Sequence, residues 1–137
     1  MKVFLDTNAW LSAIVFPGLC AELLLELDGR GHRLVTSALV RDETHAVLSG
    51  KFVRHATAVE RFDSLWACAV CVPDVEEPAD DADDADARLV AAAKVAGAQV
   101  FVTGDQRVLG WNPAGALHIV SLRQAWAMLV MPGLPLP

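Results

Sequence analysis

The chain has 137 residues, of which 54% are hydrophobic and 20% are charged, and its formal net charge is −6. This length predicts one compact domain with a single core, residues 1–130, followed by a C-terminal tail, residues 131–137. The longest apolar runs are far shorter than the ~20 residues that cross a bilayer, which excludes a membrane-spanning helix, and the negative charge disfavours polyanion binding unless metal ions offset the carboxylates.

Short apolar runs rich in β-branched residues alternate with segments of helical periodicity along the chain. The apolar runs predict buried strands at Val3–Leu5, Leu34–Thr36, Val70–Val72, Val100–Val102 and His118–Val120. The helical spacing predicts helices at Cys20–Leu27, Ser37–Leu48, Thr57–Ala67, Asp86–Ala96 and Ser121–Leu129. Alternating strands and helices predict an α/β fold whose parallel sheet is covered on both faces.

Several boundaries between these elements have their own sequence signals. Ser37 is a predicted N-cap, and Ser121 with Gln124 fits a capping box directly after a strand. Gly97 can provide the left-handed residue that ends a helix. Residues 74–85, which are rich in aspartate and alanine, are predicted to form a loop.

The cysteines and the N-terminal segment indicate the compartment. Three cysteines are too few and too scattered for a secreted disulfide framework. Cys68 and Cys71 form a C-x-x-C that closes a helical segment instead of opening one, so we expect buried structural thiols and no redox or zinc chemistry. Asp6 and Asn8 fall where the apolar core of a signal peptide should begin, which favours a folded first strand. We therefore expect a cytoplasmic protein.

Two acids follow apolar strands directly. Asp6 comes immediately after Val3–Leu5, and Asp105 follows Val100–Val102 and the turn Thr103-Gly104. Both are therefore placed at the carboxyl ends of strands, where open parallel sheets bind ligands. Taken singly, Asp6 could be a helix N-cap and Asp105 a turn residue.

Two more acids lie on predicted helices. Glu43 is three or four residues from each member of a predicted inward stripe, which is Leu39, Val40, Ala46 and Val47, and none of these is a Lys or Arg that could pair with it. Asp86 lies in the first turn of a helix whose predicted inward stripe is Leu89, Val90, Ala93 and Ala96. Taken singly, Glu43 could be a boundary residue and Asp86 a cap. We expect the preceding aspartates to be mainly solvated, with Asp83 and Asp84 as candidates to support the site.

These four acids converge at one crevice if the first and fourth strands are neighbours. Carboxylates within ~4–6 Å of one another raise each other's pKa unless a cation is present. Oxygen donors without His or Cys select hard ions such as Mg²⁺ or Mn²⁺, which can activate water and bridge to a substrate phosphate. The pattern therefore predicts phosphodiester hydrolysis.

The ordered set of motifs resembles the PIN-domain nucleases, in particular the VapC-like toxins of bacterial toxin–antitoxin systems. The resemblance covers nearly the whole chain. The segments that carry it are VFLDTN at 3–8, FPG at 16–18, AELLL at 21–25, SALVRDE at 37–43, DDAD at 83–86, LVAAA at 89–93 and VTGD at 102–105.

The resemblance implies a three-layer α/β/α sandwich with a central parallel sheet in the order 3-2-1-4-5. It also implies Mg²⁺- or Mn²⁺-dependent cleavage of RNA, a small antitoxin protein as partner, and a homodimer. By position, the metal-binding acids correspond to Asp6, Glu43, Asp86 and Asp105, with Thr7, Asn8 and Thr103 as polar supports. The acidic segment before the third acid is longer than the family pattern, so Asp83, Asp84 and Asp86 all remain candidates for that ligand; Asp86 has the best spacing.

Two other functions are compatible with an aspartate after the first strand. A phosphatase of the haloacid dehalogenase type needs a second aspartate two residues later, where this chain has Asn8, and a supporting lysine motif that we do not find. A non-catalytic PIN-like binding or scaffold module would not need the four acids, all of which are present. The sequence favours the nuclease and leaves its RNA target open.

Overall fold

The computed structural model describes residues 1–15, 18–50, 56–74 and 84–131. The strands are β1 Lys2–Leu5, β2 Arg33–Ser37, β3 Val70–Val72, β4 Val100–Val102 and β5 His118–Val120. The helices are α1 Thr7–Val15, α2 Leu19–Gly29, α3 Ala38–Gly50, α4 Ala56–Trp66, α5 Ala85–Val95, α6 Gln106–Leu109 and α7 Leu122–Leu129. The predicted strands and helices are all present, and α1 and α6 are additional helices that the sequence patterns did not predict.

The strands form one parallel sheet in the order β3-β2-β1-β4-β5. Phe4 of β1 is in register with Val35 of β2 on one side and with Phe101 of β4 on the other. The α/β sandwich and its strand order are therefore confirmed. Because β1 and β4 are neighbours, the residues that follow them share one edge of the sheet.

The centre of the sheet is buried on both faces, which explains its uninterrupted apolar sequences. Val3, Phe4 and Leu5 of β1 have no exposed surface, and β4 is buried throughout. The rings of Phe4 and Phe101 stack across the two strands, with centroids 5.5 Å apart and planes 9° from parallel. This packing fixes β1 against β4 just below the edge where Asp6 and Thr103 lie.

A second aromatic cluster joins α1 to α4. Trp10 is fully buried, and its ring centroid lies 5.4 Å from that of Phe62 and 5.9 Å from that of Trp66. The Arg61 guanidinium also donates a hydrogen bond to the Ile14 carbonyl at 3.1 Å. These contacts hold α1 in place, and with it the polar residues at its first turn.

The helix boundaries confirm two sequence predictions and correct one. The capping box of Ser121 with Gln124 is present, and Gly97 is left-handed, with φ of 75°. Ser37 is not an N-cap, because β2 pairs with β3 as far as Ser37 and its hydroxyl is buried, without a hydrogen-bond partner in the described part of the chain. The backbone N–H of Leu39, near the start of α3, instead donates to Asp74 Oδ1 at 3.1 Å.

The prediction that Cys68 and Cys71 are buried is wrong. Both thiols are free and exposed. Cys68 lies beyond the end of α4, and Cys71 lies on β3, which is an edge strand of the sheet and has Val70 44% exposed. The short apolar run Val70–Val72 therefore indicates a strand correctly, but the residues of that strand are not buried in the core.

No single helix of the described residues is long and apolar enough to cross a membrane; α1 and α2 reach that composition only as a sharply bent pair, and both contribute buried residues to the core. Residues 132–137 of the predicted tail 131–137 and residues 75–83 of the predicted loop 74–85 lie outside the described residues.

Candidate active site

Asp6 is the most buried acid of the candidate site, with 3% of its surface exposed. Its backbone N–H donates to the Val102 carbonyl at 3.1 Å, so the pairing of β1 with β4 continues into Asp6. One carboxylate oxygen, Oδ1, accepts from the Ala9 N–H at 2.8 Å, and the other accepts from the Thr103 hydroxyl. Asp6 is therefore the N-terminal cap of α1 and a strand-end acid at the same time.

The pKa of the Asp6 carboxyl is raised, first of all by burial. The hydrogen bonds from Thr103 and from the Ala9 N–H oppose this effect, whereas the negative charges of Asp86 and Asp105 add to it. Those two carboxylates are thus close enough for their charges to act on Asp6. Asp6, Asp86 and Asp105 therefore lie in the same region of the carboxyl edge of the sheet.

Thr103 connects Asp6 to Asp105. Its side chain is buried; the hydroxyl donates to Asp6 and accepts from the Asp105 N–H at 3.1 Å. Oδ1 of Asp105 in turn accepts from the backbone N–H groups of Arg107, at 2.8 Å, and Val108, at 3.4 Å, and so caps the short helix α6. The turn after β4 is thereby held in one conformation beside Asp6.

Glu43 reaches the same edge through Thr7. The Thr7 hydroxyl donates to Glu43 Oε1 at 2.8 Å, which joins the first turn of α1 to α3. Glu43 is half-buried, at the margin of the apolar face. That face differs from the predicted stripe, because it is formed by Val40, Thr44 and Leu48, and Ala46 is exposed.

Asn8 and Ser37 both differ from the roles that the sequence suggested for them. Asn8 is exposed, and its side chain has no hydrogen bond within the described residues. Ser37 was predicted only as a cap, yet extending the register of β1 with β2 by two residues places it next to Asp6. Its position directly after the predicted strand Leu34–Thr36 is the same kind of signal that identified Asp6 and Asp105.

The acids of α5 are paired with an arginine that the sequence reasoning did not single out. Asp84 caps α5 by accepting from the Ala87 N–H at 3.1 Å, and Asp86 lies in the first turn. Arg107 donates to Asp84 Oδ2 at 2.9 Å, to Asp84 Oδ1 at 3.2 Å and to Asp86 Oδ2 at 3.0 Å. The guanidinium lowers the pKa of the Asp84 carboxyl, and the two carboxylates raise the pKa of Arg107.

The donors at this edge fit a hard divalent cation by chemistry, since they are carboxylate and hydroxyl oxygens with no His or Cys among them. Their spacing is more open than a closed metal site: within residues 1–15, 18–50, 56–74 and 84–131, no three acidic, His or Cys side chains surround a single point closely enough to hold an ion. Asp83 lies outside the described residues. Ligation by Asp6, Glu43, Asp86 and Asp105 remains a prediction.

Comparison with known proteins gives the same family as the motifs. The family model described as PIN domain matches residues 2–107. No curated protein matches the chain significantly.

Several solved structures have the same fold. PAE2754 from Pyrobaculum aerophilum is 16% identical and superposes with a TM-score of 0.66, covering 96% of this chain and 100% of that one. The PilT N-terminus domain protein SSO1118 from Sulfolobus solfataricus P2 is 9% identical, with a TM-score of 0.58 and 98% coverage of both chains. VapBC2 from Rickettsia felis, solved bound to a DNA fragment from its promoter, is 17% identical, with a TM-score of 0.55 and coverage of 88% of this chain and 98% of that one. From the family model and the sheet order together, the chain belongs to the PIN domain family, whose members are generally nucleases.

Proposed function

We propose that this protein is a Mg²⁺- or Mn²⁺-dependent endoribonuclease and the toxin of a toxin–antitoxin pair. The observation that carries the proposal is the buried carboxylate of Asp6 at the carboxyl edge of the sheet, which the Thr103 hydroxyl links to Asp105; burial raises its pKa first of all, and the charges of Asp86 and Asp105 add to this. A charged carboxylate that is buried near other acids is unfavourable in a protein without a cation and becomes favourable when a divalent ion is bound. The resemblance to VapBC2 adds the toxin–antitoxin context.

In this proposal Asp6, Glu43, Asp86 and Asp105 hold the ion, and each is positioned by its own neighbours. Thr103 orients the Asp6 carboxylate and fixes the turn that carries Asp105. Thr7 orients Glu43, and the first turn of α5 carries Asp86.

A bound divalent ion supplies an activated water and neutralises charge on the scissile phosphate. Water adds to phosphorus, and the departing sugar oxygen takes up a proton as its bond to phosphorus breaks.

Cleavage of total RNA by the purified protein tests the activity. We expect discrete fragments with Mn²⁺ or Mg²⁺ and intact RNA when EDTA is present, because the carboxylates cannot act on a phosphate without the cation. The same preparation is also tested with p-nitrophenyl phosphate. Phosphate release from this monoester without RNA cleavage would identify a phosphatase, and inactivity of a folded, Mn²⁺-loaded protein on every RNA tested would favour a binding module.

We also propose that the partner is a small cytoplasmic antitoxin with a basic segment that enters the acidic crevice, and that the nuclease forms a homodimer. The net charge of −6 and the grouped carboxylates give this edge a negative field that attracts such a segment. Co-expression with the product of the adjacent reading frame is expected to give a stable complex. Its mass, measured by light scattering, should correspond to an assembly with two nuclease chains. Failure of the two products to copurify would contradict the toxin role.

A further inference from the structure

Arg107 is the cation that the described structure places among the acids of the candidate site. Its two terminal nitrogens make three hydrogen bonds, two to Asp84 and one to Asp86. The guanidinium also lies over the ring of Trp111, 4.9 Å from the centroid, which is a favourable distance for a cation–π contact. Arg107 therefore occupies the side of the crevice where α5 begins.

The arginine and a divalent ion would compete for the same ligand. Asp86 is the preferred third metal ligand, and its Oδ2 already accepts a hydrogen bond from Arg107 at 3.0 Å. An ion ligated by Asp86 would stand within a few ångströms of the guanidinium, and two cations at that distance repel each other. The same guanidinium pairs with Asp84 as well, so that Arg107 joins the two carboxylates at the start of α5.

The position of Arg107 allows its side chain to move away from Asp84 and Asp86. Its side chain is 54% exposed, and it is carried by the four-residue helix α6. The Trp111 ring provides a contact that the guanidinium can keep after the carboxylates are released. The cost of breaking the ion pairs is modest because exposed pairs are screened by water.

We propose that Arg107 is an internal counter-cation that sets the metal affinity of this site: it neutralises Asp84 and Asp86 in the metal-free protein and is displaced from Asp86 when the ion binds. The inference rests on the proposed metal-dependent function. It identifies a residue outside the acidic motifs as the one that determines how much metal the protein needs.

The test measures Mn²⁺ binding by calorimetry and by the electron paramagnetic resonance of free Mn²⁺, without any RNA. We expect Arg107→Ala to bind Mn²⁺ about tenfold more tightly than the wild type, which is a coupling of ordinary size between two binding events. Arg30→Ala is the matched control, because Arg30 also pairs with a carboxylate, Glu26, at 2.9 Å but is an exposed residue at the C-terminal cap of α2. Its Mn²⁺ affinity is expected to equal that of the wild type.

Arg107→Lys provides a second variant should the alanine protein be poorly folded without metal. Lysine keeps the charge but cannot bridge two carboxylates with a planar fork, so we expect an affinity between those of the wild type and Arg107→Ala. If the wild type binds Mn²⁺ clearly and neither Arg107 variant binds it more tightly, the proposed role of Arg107 is overturned. The proposed metal-dependent function is not affected by that result. No Mn²⁺ binding by any of these proteins would overturn this inference and the proposed metal-dependent function together.

Discussion

Asp6→Asn is expected to lower RNA cleavage by roughly a hundredfold or more, the scale of losing one principal electrostatic group of an active site. Asparagine keeps the shape of the side chain and can still accept the hydrogen bond from the Ala9 N–H, but it lacks the charge that binds the cation. The measurement is the initial rate of fragment formation at saturating Mn²⁺. Asp28→Asn, an equal change of charge at an exposed position of α2, is the control and should leave the rate unchanged.

The same substitution is expected to stabilise the metal-free protein at pH 7. Burial and the neighbouring carboxylates raise the pKa of Asp6 in the folded protein. Ionising this carboxyl in the folded protein therefore costs more free energy than ionising it in the unfolded chain. Because the folded state then binds the proton more tightly, the wild type gains stability as the pH falls through the raised pKa. The advantage of Asp6→Asn is therefore largest at neutral pH and disappears once both states are protonated.

Urea unfolding in EDTA at several pH values measures this effect. Added Mn²⁺ should reverse the order of stability, since it binds the folded wild type more strongly than the variant. An Asp6→Asn protein that is less stable than the wild type at pH 7 in EDTA would contradict this prediction. It would show that the hydrogen bonds of the Asp6 carboxylate outweigh the cost of burying its charge.

Trp10→Ala has the largest expected effect on stability, a loss of about 3–5 kcal/mol in the free energy of unfolding. Trp10 is fully buried against Phe62 and Trp66, and alanine would leave a cavity between α1 and α4. Since α1 also carries Thr7, which orients Glu43, cleavage should fail at a lower urea concentration than in the wild type.

Trp10→Phe is the matched control for this cavity. The indole N–H of Trp10 is buried without a hydrogen-bond partner among the residues that the structure describes, so phenylalanine gives up no polar contact there and fills much of the space. We expect a loss well below that of the alanine variant. If the two substitutions cost the same, the aromatic packing of α1 on α4 would not be what stabilises the domain.

The sequence predicted the sheet better than the helices that surround the site. Strands buried on both faces have uninterrupted apolar sequences, and these stand out from any surroundings. Helix α1 was missed because its buried residues include Trp10 and Ile14 beside an apolar, partly exposed Leu11, which leaves no clean polar face to reveal the period. Helix α6 has only four residues, too few to show periodicity.

Some features of the candidate site could likewise be predicted from the sequence, and others could not. Asp6 and Asp105 could be predicted because the carboxyl edge of neighbouring parallel strands is a general place for ligands. The pairing of Arg107 with Asp84 and Asp86 could not, since it joins residues more than twenty positions apart through side chains that a local pattern does not connect. Glu43 accepts a hydrogen bond from Thr7 in the first turn of α1, although the stripe used to locate it contained the exposed Ala46.

The backbone bond between Asp6 and Val102 has a consequence for how this architecture can change. Asp6 moves only if the central pair of strands moves, whereas Glu43 and Asp86 are carried by helices that can tilt or slide by small amounts. The side of the crevice that carries Asp6 is thus tied to the sheet, whereas the side that carries Glu43 and Asp86 depends on how the helices pack. Repacking α3 or α5 would therefore shift Glu43 or Asp86 without disturbing the acid at the centre of the sheet.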